Sequence, residues 1–418
     1  MNLLKYFLIL LSFSSYAQSE NYNKKDSIDL ESLYYLNDLE IKTKNLYNYL
    51  SKSSLDLEII LDKDSVPYYN DSILNERLIV LDENSPFELI TNESTLKAIN
   101  VYAKKRKYIA RMQKLSKFYF PLFEQNLSKY DLPYELKYLP IVESALNPVA
   151  KSRVGARGLW QFMPATGRMM GLKISSFVDQ RCDPYLSTDA ACNYLSRLYK
   201  IYNDWSLALA AYNAGPGNVN KAIRRSGGKK TYWEIRKFLP RETQNYVPIF
   251  VAINYIMNYS KEHNVQILNP EFTYYDVDTV HVCDRIEFDK IGEWVCYDKD
   301  KIAALNPMFI KDIIPKPETT YSLVLPSFLI GDFIENEDSI AKYSSLTYQY
   351  SLLAQSSTTV EKTETIDKSE VYYTIKKGDT LWDIAQQYKG ISADDIQELN
   401  SSINVHRLKA GDVIKIYR

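Results

Sequence analysis

Histidine and cysteine are scarce in this chain, with three and four copies among 418 residues, and they assemble no metal site. The cysteines stand at 182, 192, 283 and 296, and the histidines at 263, 281 and 406. Structural zinc needs close Cys or His pairs, and this spacing supplies none. Metal chemistry is therefore set aside, and no motif asks for a cofactor. Also missing is any apolar run long enough to make a good membrane span. Excess charge is missing as well: 51 Lys and Arg meet 52 Asp and Glu, a formal net charge of −1.

That balance hides an uneven distribution. Residues 20–96 carry 7 Lys/Arg against 16 Asp/Glu, whereas residues 97–160 carry 13 against 4, with "KKRK" at 104–107. The basic stretch reads either as a surface for an anionic polymer or as a solvated helix face balanced by its acidic neighbour. The second reading is preferred. Tyrosine is abundant at 35 copies, which suits amphipathic, sugar-stacking surfaces without proving one.

The N-terminus bears on the compartment. "MNLLKYFLILLSFSSYAQSE" has an early lysine, an apolar core too short for a good membrane span, and small residues ending at Ala17. A secretory signal over residues 1–17 is expected. No cysteine follows before Cys182, so a lipid-anchored N-terminus is not expected. Export to the periplasm, cell wall or outer membrane disfavours a nucleic-acid partner and leaves peripheral association with wall or membrane open. An exported chain can hold disulfides. The local pairs Cys182–Cys192 and Cys283–Cys296 are expected ahead of crossed ones, with free thiols as the alternative.

Patterning divides the rest. Residues 18–95 read as an acidic lead-in of loose helices or partial disorder, and residues 96–262 as strongly helical. "DLPYELKYL" offers Asp131 as a cap and "STDAACNYLSRLYKIY" offers Ser187 or Thr188; "WSLALAAYNAGPG" is an alanine-rich helix stopped by Gly215-Pro216-Gly217. Residues 331–370, rich in Ser, Thr and charge, are expected to be linker. Residues 371–418 read as strand, Gly378-Asp379 turn, two short helices and a closing "VIKIY" strand. A weaker copy of that order runs from 277 to 326, within a segment 263–330, with Cys283-Asp284-Arg285 in place of the Gly-Asp-Thr turn.

Within the helical region, Glu143 of "PIVESALNP" asks for an explanation. In a helix it lies four residues after Leu139 and seven after Leu136, on the face those leucines would bury. Desolvation disfavours the charged form of a carboxyl and raises its pKa, as a general acid working near neutral pH requires. The alternative is a glutamate at the edge of the face, reaching water or an arginine.

Three motifs in order, "ESALNPVAKSRVGARGLWQFMPATG" (143–167), "AYNAGPGNV" (211–219) and "ETQNYVPIFVA" (242–252), resemble the lysozyme-like lytic transglycosylases of bacterial cell walls. The likeness is greatest to the membrane-bound murein transglycosylase D type. The last 48 residues resemble a LysM domain, a binder of N-acetylglucosamine-containing glycans. The resemblance implies an α+β, multidomain fold: a mainly α, lysozyme-like catalytic domain followed by small βααβ LysM-type modules. It also implies cleavage between N-acetylmuramic acid and N-acetylglucosamine in peptidoglycan glycan strands, leaving 1,6-anhydromuramic ends. The motif core 143–167 holds a single acidic residue, so the two-carboxylate arrangement of ordinary glycosidases is lacking there. One carboxyl suffices if it protonates the leaving oxygen and then takes the proton of the sugar's own 6-hydroxyl, which attacks in place of water.

By the same resemblance Glu143 is the acid/base and Ser144 supports its helix. Ser152 faces the substrate's N-acetyl carbonyl, and Gln161 and Met163 line the cleft. Tyr212 and Asn213 shape the cleft and contact substrate, and the Tyr246 hydroxyl lies near the catalytic carboxylate. Each has a structural alternative, such as core packing for Tyr212 or Met163 and a helix cap for Gly215. Trp160 stands where the family often has methionine. In the tail, Gly378, Asp379, Thr380 and Leu381 are the expected glycan-binding residues. Asp179, Asp183 and Asp189 could supply a second carboxylate and permit hydrolysis, although Asp183 and Asp189 read better as turn and helix-start residues. A muramidase or chitinase on the same fold and an inactive wall-binding scaffold are the competing readings.

Overall fold

A computed structural model describes residues 67–417 apart from 271, 317–319, 361–369, 377–378, 380, 386, 389–390, 392 and 401–408. The expected signal and most of the acidic lead-in lie outside the described residues. The chain divides into two units, Met1–Glu337 and Asp338–Arg418.

In the first unit the chain enters through α1 (Asp71–Asp82) and α2 (Glu93–Ala103). Each is started by an asparagine, Asn70 or Asn92, whose side chain accepts a first-turn backbone N–H. Leu74, Leu78, Phe87 and Leu89 are buried in the same core as the later helices. Residues 71–95 are thus packed structure and not a loose lead-in. Most helical stability comes from docking an apolar face, so a polar segment with a few well-placed leucines folds once a partner surface exists.

The long α3 (Arg106–Lys129) buries Met112, Leu115, Tyr119, Leu122 and Phe123 at three- and four-residue spacing. Arg106 of the basic run is itself buried, so that run is not a uniformly solvated face. Asp131 takes a left-handed φ of 54° and caps nothing; Pro133 instead precedes a 3-10 turn, Tyr134–Tyr138, that leads into the short α4 (Leu139–Ser144). After α5 (Pro164–Met169) comes α6 (Pro184–Tyr202). Its cap is Asp183, which accepts the Tyr185 and Leu186 N–H groups at 2.8 Å each. Pro184 occupies the first helical position, where its missing N–H costs nothing. Ser187 and Thr188 lie inside the helix and donate back to the Asp183 and Pro184 carbonyls.

Next come α7 (Trp205–Ala214) and α8 (Pro216–Arg225), separated by Gly215 at φ 81°, then the short α9 (Tyr232–Ile235) and α10 (Arg241–Asn258). Both α7 and α10 are apolar nearly all round, which makes them the centre of the helical core. Helix α10 packs against α2, α4 and α7. Its N-terminal end meets the C-terminal ends of α4 and α7, and the candidate site lies there.

The first unit continues with β1 (Val277–Val282), β2 (Ile286–Glu287), α11 (Phe288–Trp294), α12 (Lys299–Leu305), β3 (Ile313–Ile314) and β4 (Tyr321–Pro326). Strand β1 pairs antiparallel with β4, Val277 opposite Pro326, and β2 pairs with β3. Next is α13 (Ile330–Val360), where a linker was expected. Phe333, Ile340 and Ser344 are buried on one face of it, a stripe too sparse to stand out in so polar a sequence. The second unit closes with β5 (Glu370–Thr374), α14 (Leu381–Ala385), α15 (Ala393–Leu399) and β6 (Val413–Tyr417), around Ile375, Ile384, Ile396, Ile414 and Ile416.

One polar lock recurs in both βααβ modules. The Asn400 amide donates to the Ile396 and Lys415 carbonyls (2.8 and 2.7 Å) and accepts the Lys415 N–H (2.9 Å). Asn306 does the same with Ile302 and Val324, at 2.8, 2.7 and 2.8 Å. In each module the residue after the second helix ties that helix to the closing strand.

The four cysteines are free thiols, two buried (Cys182, Cys192) and two exposed (Cys283, Cys296), so the expected disulfides are not formed. Cys182 precedes α6 and Cys192 sits eight residues beyond its first residue, about 12 Å along the axis, whereas a disulfide spans Cα atoms within about 7 Å. Burial pushes both of these thiols up to about 12, which keeps them protonated and inert.

Candidate active site

Glu143 sits in the last turn of α4. Leu136 and Leu139 are fully buried, as the spacing required, although the turn carrying Leu136 is 3-10. Glu143 itself keeps partial contact with solvent. Tyr246, in the second turn of α10 and 5% exposed, donates its hydroxyl to Glu143 Oε1. Burial pushes the Glu143 carboxyl up to about 8; the Tyr246 hydrogen bond opposes this, and the nearby Glu242 charge adds to it. At neutral pH the group is therefore an acid holding its proton.

The other walls are tied together by hydrogen bonds. Tyr212, at the end of α7, donates to the Trp160 carbonyl at 2.7 Å. Burial and then the Glu143 charge hold its hydroxyl well above the usual tyrosine range, so it stays a donor. Asn213 accepts from the Thr243 hydroxyl at 2.7 Å, and its amide nitrogen lies 3.5 Å from Glu242 Oε1. These contacts staple the end of α7 to the start of α10.

Residues 150–163 form a folded-back loop against α4. Gln161 has a left-handed φ of 47° and donates its amide to the Ala150 and Gly158 carbonyls at 3.2 and 2.8 Å. Ser152 accepts the Ala156 N–H at 2.9 Å, and Met163 is 41% exposed just ahead of α5. The Ser144 hydroxyl lies 2.9 Å from the Leu159 carbonyl and 3.0 Å from that of Pro140, so it joins the loop to its helix. Trp160 is fully buried and donates to Thr188 Oγ1 at 2.9 Å. Gly158 has φ +88°, and a Cβ on it would fall 1.7 Å from the Arg181 carbonyl oxygen. Only glycine fits that approach.

The three alternative carboxylates are engaged elsewhere. Burial alone would raise Asp179, but the Arg181 guanidinium, with Arg157, holds it below the usual range. Asp183 is the α6 cap, and Asp189 receives Lys129 at 2.6 Å and Tyr130 at 3.0 Å. In the second unit, Asp379 accepts from the Tyr373 hydroxyl and the Lys376 N–H, and Leu381 packs on the module's own core. Gly378 and Thr380 lie outside the described residues. Sequence reasoning missed Glu242, Thr243 and Arg181. For Glu242 a signal existed: it stands four residues before Tyr246, on the same helix face.

A family model described as "Transglycosylase SLT domain" matches residues 121–235, "LysM domain" matches 373–416, and "Lytic transglycosylase MltD, LysM-like domain" matches 276–342. Membrane-bound lytic murein transglycosylase D of Escherichia coli strain K12 is 31% identical over 319 residues, 75% of this chain and 67% of that protein. The soluble lytic murein transglycosylase of the same strain is 32% identical over 148 residues, 34% of this chain and 23% of that protein. Among solved structures, an inactive mutant of the lytic transglycosylase Slt from Pseudomonas aeruginosa aligns at 26% identity over 35% of this chain and 24% of that one, with a TM-score of 0.29.

Proposed function

The chain belongs to the family of the membrane-bound lytic murein transglycosylase D, and from that membership we propose how its cleft cleaves peptidoglycan. It is a peptidoglycan lytic transglycosylase, and its LysM domain binds the wall. Glu143, protonated at neutral pH, gives its proton to the oxygen linking N-acetylmuramic acid to N-acetylglucosamine. The bond from that oxygen to muramic C1 breaks, and positive charge develops on the ring. The Glu143 carboxylate then takes the proton of the same sugar's 6-hydroxyl, whose oxygen closes on C1. The product carries a 1,6-anhydro ring, Glu143 is protonated again, and no water is consumed.

Tyr246 holds the carboxyl and stabilises it during its brief charged stage. Ser152, Gln161, Met163, Tyr212 and Asn213 are the proposed substrate contacts. In the tail, Gly378, Asp379, Thr380 and Leu381 are the proposed glycan contacts, and a single module acts mainly by raising effective concentration at the wall. The protein acts at the cell envelope; export directed by residues 1–17 is part of the same proposal, as is a catalytic domain ending near 262.

The observation that carries this reading is the half-buried Glu143–Tyr246 contact, with the carboxyl pushed up to about 8. The test is to digest purified peptidoglycan and weigh the released muropeptides. Products one water lighter than hydrolytic ones, absent with Glu143→Gln, support it. Reducing ends of full mass would make the enzyme a hydrolase, with Glu242 the second carboxylate to examine.

A further inference from the structure

Arg181 lies beneath the cleft and takes no part in the steps above. It is 5% exposed. Its Nε and Nη2 donate to the two Asp179 oxygens at 2.9 and 2.8 Å, a two-pronged pairing. Its Nη1 donates to the carbonyls of Gly155 (2.9 Å) and Phe162 (3.0 Å). Those two carbonyls bracket the folded-back loop: Gly155 closes the turn begun by Ser152, and Phe162 stands between Gln161 and Met163. Arg157, from the middle of the loop, also reaches Asp179 at 3.3 Å. The Arg181 carbonyl in turn occupies the space beside Gly158. Three hydrogen bonds thus hold the loop to one ion-paired arginine and its aspartate, and Gly158 packs on the same arginine's backbone.

Asp179 is itself held from outside the helical core. Its N–H donates to the Met308 carbonyl at 2.9 Å, and the Ile310 N–H donates to the Phe177 carbonyl at 2.9 Å. Val178 and Phe309 face each other between these bonds as an antiparallel bridge. Residues 308–310 belong to the βααβ module 277–326 of the same unit. Val178, Met308 and Phe309 are all buried, so this edge of the module meets protein backbone.

We propose that Arg181, aligned by Asp179, is a positioning residue for loop 152–163, and that module 277–326 is the clamp that sets this brace. The proposal rests on reading that loop as substrate-contacting. It gives the module a task that does not need the Gly-Asp-Thr turn it lacks.

The test uses the full chain, soluble glycan strands, and anhydro ends counted by mass spectrometry, with rates normalised to the folded fraction from melting curves. Arg181→Lys keeps the charge but loses the two-pronged geometry. It should raise KM by about tenfold, since small misplacement of substrate-positioning groups costs rates of that order or more, while the pH limb set by Glu143 stays in place. Ile310→Pro removes the N–H that Phe177 accepts and should raise KM in the same direction. The double variant should show no more than the larger single effect, because both act through one brace. An unchanged KM in folded Arg181→Lys overturns the positioning role. An unchanged KM in Ile310→Pro, or additive effects in the double variant, overturns the clamp. Should Ile310→Pro not fold, Phe309→Ala decides by amide exchange at residues 152–163: faster exchange upholds the clamp and unchanged exchange overturns it. Glu143→Gln runs alongside. Undiminished turnover there sinks the underlying site reading, whatever KM does in the other variants.

Discussion

Three opposing influences set the proton on Glu143, and two of them yield to a single substitution. Burial raises the carboxyl, the Tyr246 hydrogen bond lowers it and the Glu242 charge raises it further, to about 8 in all. A reaction that begins with protonated Glu143 should slow as pH rises through about 8. Tyr246→Phe removes the lowering bond, so this basic limb should move to higher pH even as turnover drops. Glu242→Gln removes the neighbouring charge and should move the limb to lower pH. Paired pH–rate profiles check this, and shifts of the same sign would refute it. Stability follows the same proton. The folded-state pKa lies above the usual 4.5, so the stabilisation is full below about 4.5 and is lost as pH rises through about 8. Glu143→Gln, which loses about 10²–10⁴ in turnover if it is the acid/base, should therefore melt above the parent near pH 8 and with it near pH 4.5. Melting curves at the two pH values decide.

Elements stand or fall on a few backbone contacts. At Gly158 an added Cβ meets the Arg181 carbonyl oxygen at 1.7 Å, and the backbone already sits at φ +88°. Gly158→Ala should cost at least about 2 kcal/mol in denaturant unfolding and distort the cleft loop with it. Asn306→Ala strips partners from the Val324 N–H and carbonyl and should cost about 1–3 kcal/mol. Asn400→Ala should do the same to the tail module, read as loss of the tail's own thermal transition. The alanine-rich α7 and the second βααβ copy were legible in the sequence because apolar period and stop residues are local. The start of α6 was read in two ways, with Ser187 or Thr188 as the cap and with Asp183-Pro184 as turn and helix start; the structure takes the second, with Pro184 at the first helical position. The helix at 330–360 was hidden because its buried stripe is sparse and gains meaning only from what it packs against.

For the whole molecule, the tail module has a core of its own, separate from the helical core. Removing residues 371–418 should leave turnover on soluble strands within about twofold and reduce retention on whole sacculi by at least about tenfold, the loss expected when a tether is cut. Co-sedimentation beside the soluble assay checks both halves. The sequence by itself determined the single carboxyl of the first motif, its buried face, the ordered motifs and the twice-used βααβ plan. All of these are written at short range, in spacing and stop residues. The family resemblance already set the Tyr246 hydroxyl near Glu143. Only the tertiary structure decided that this tyrosine donates to Oε1, that Glu242 adds its charge, that Arg181 holds the loop carbonyls and that the cysteines stay apart. Spacing chooses the face a side chain takes. Which distant segments cover that face, and hence how much water and which charges reach it, is settled by the packing of α4, α7 and α10.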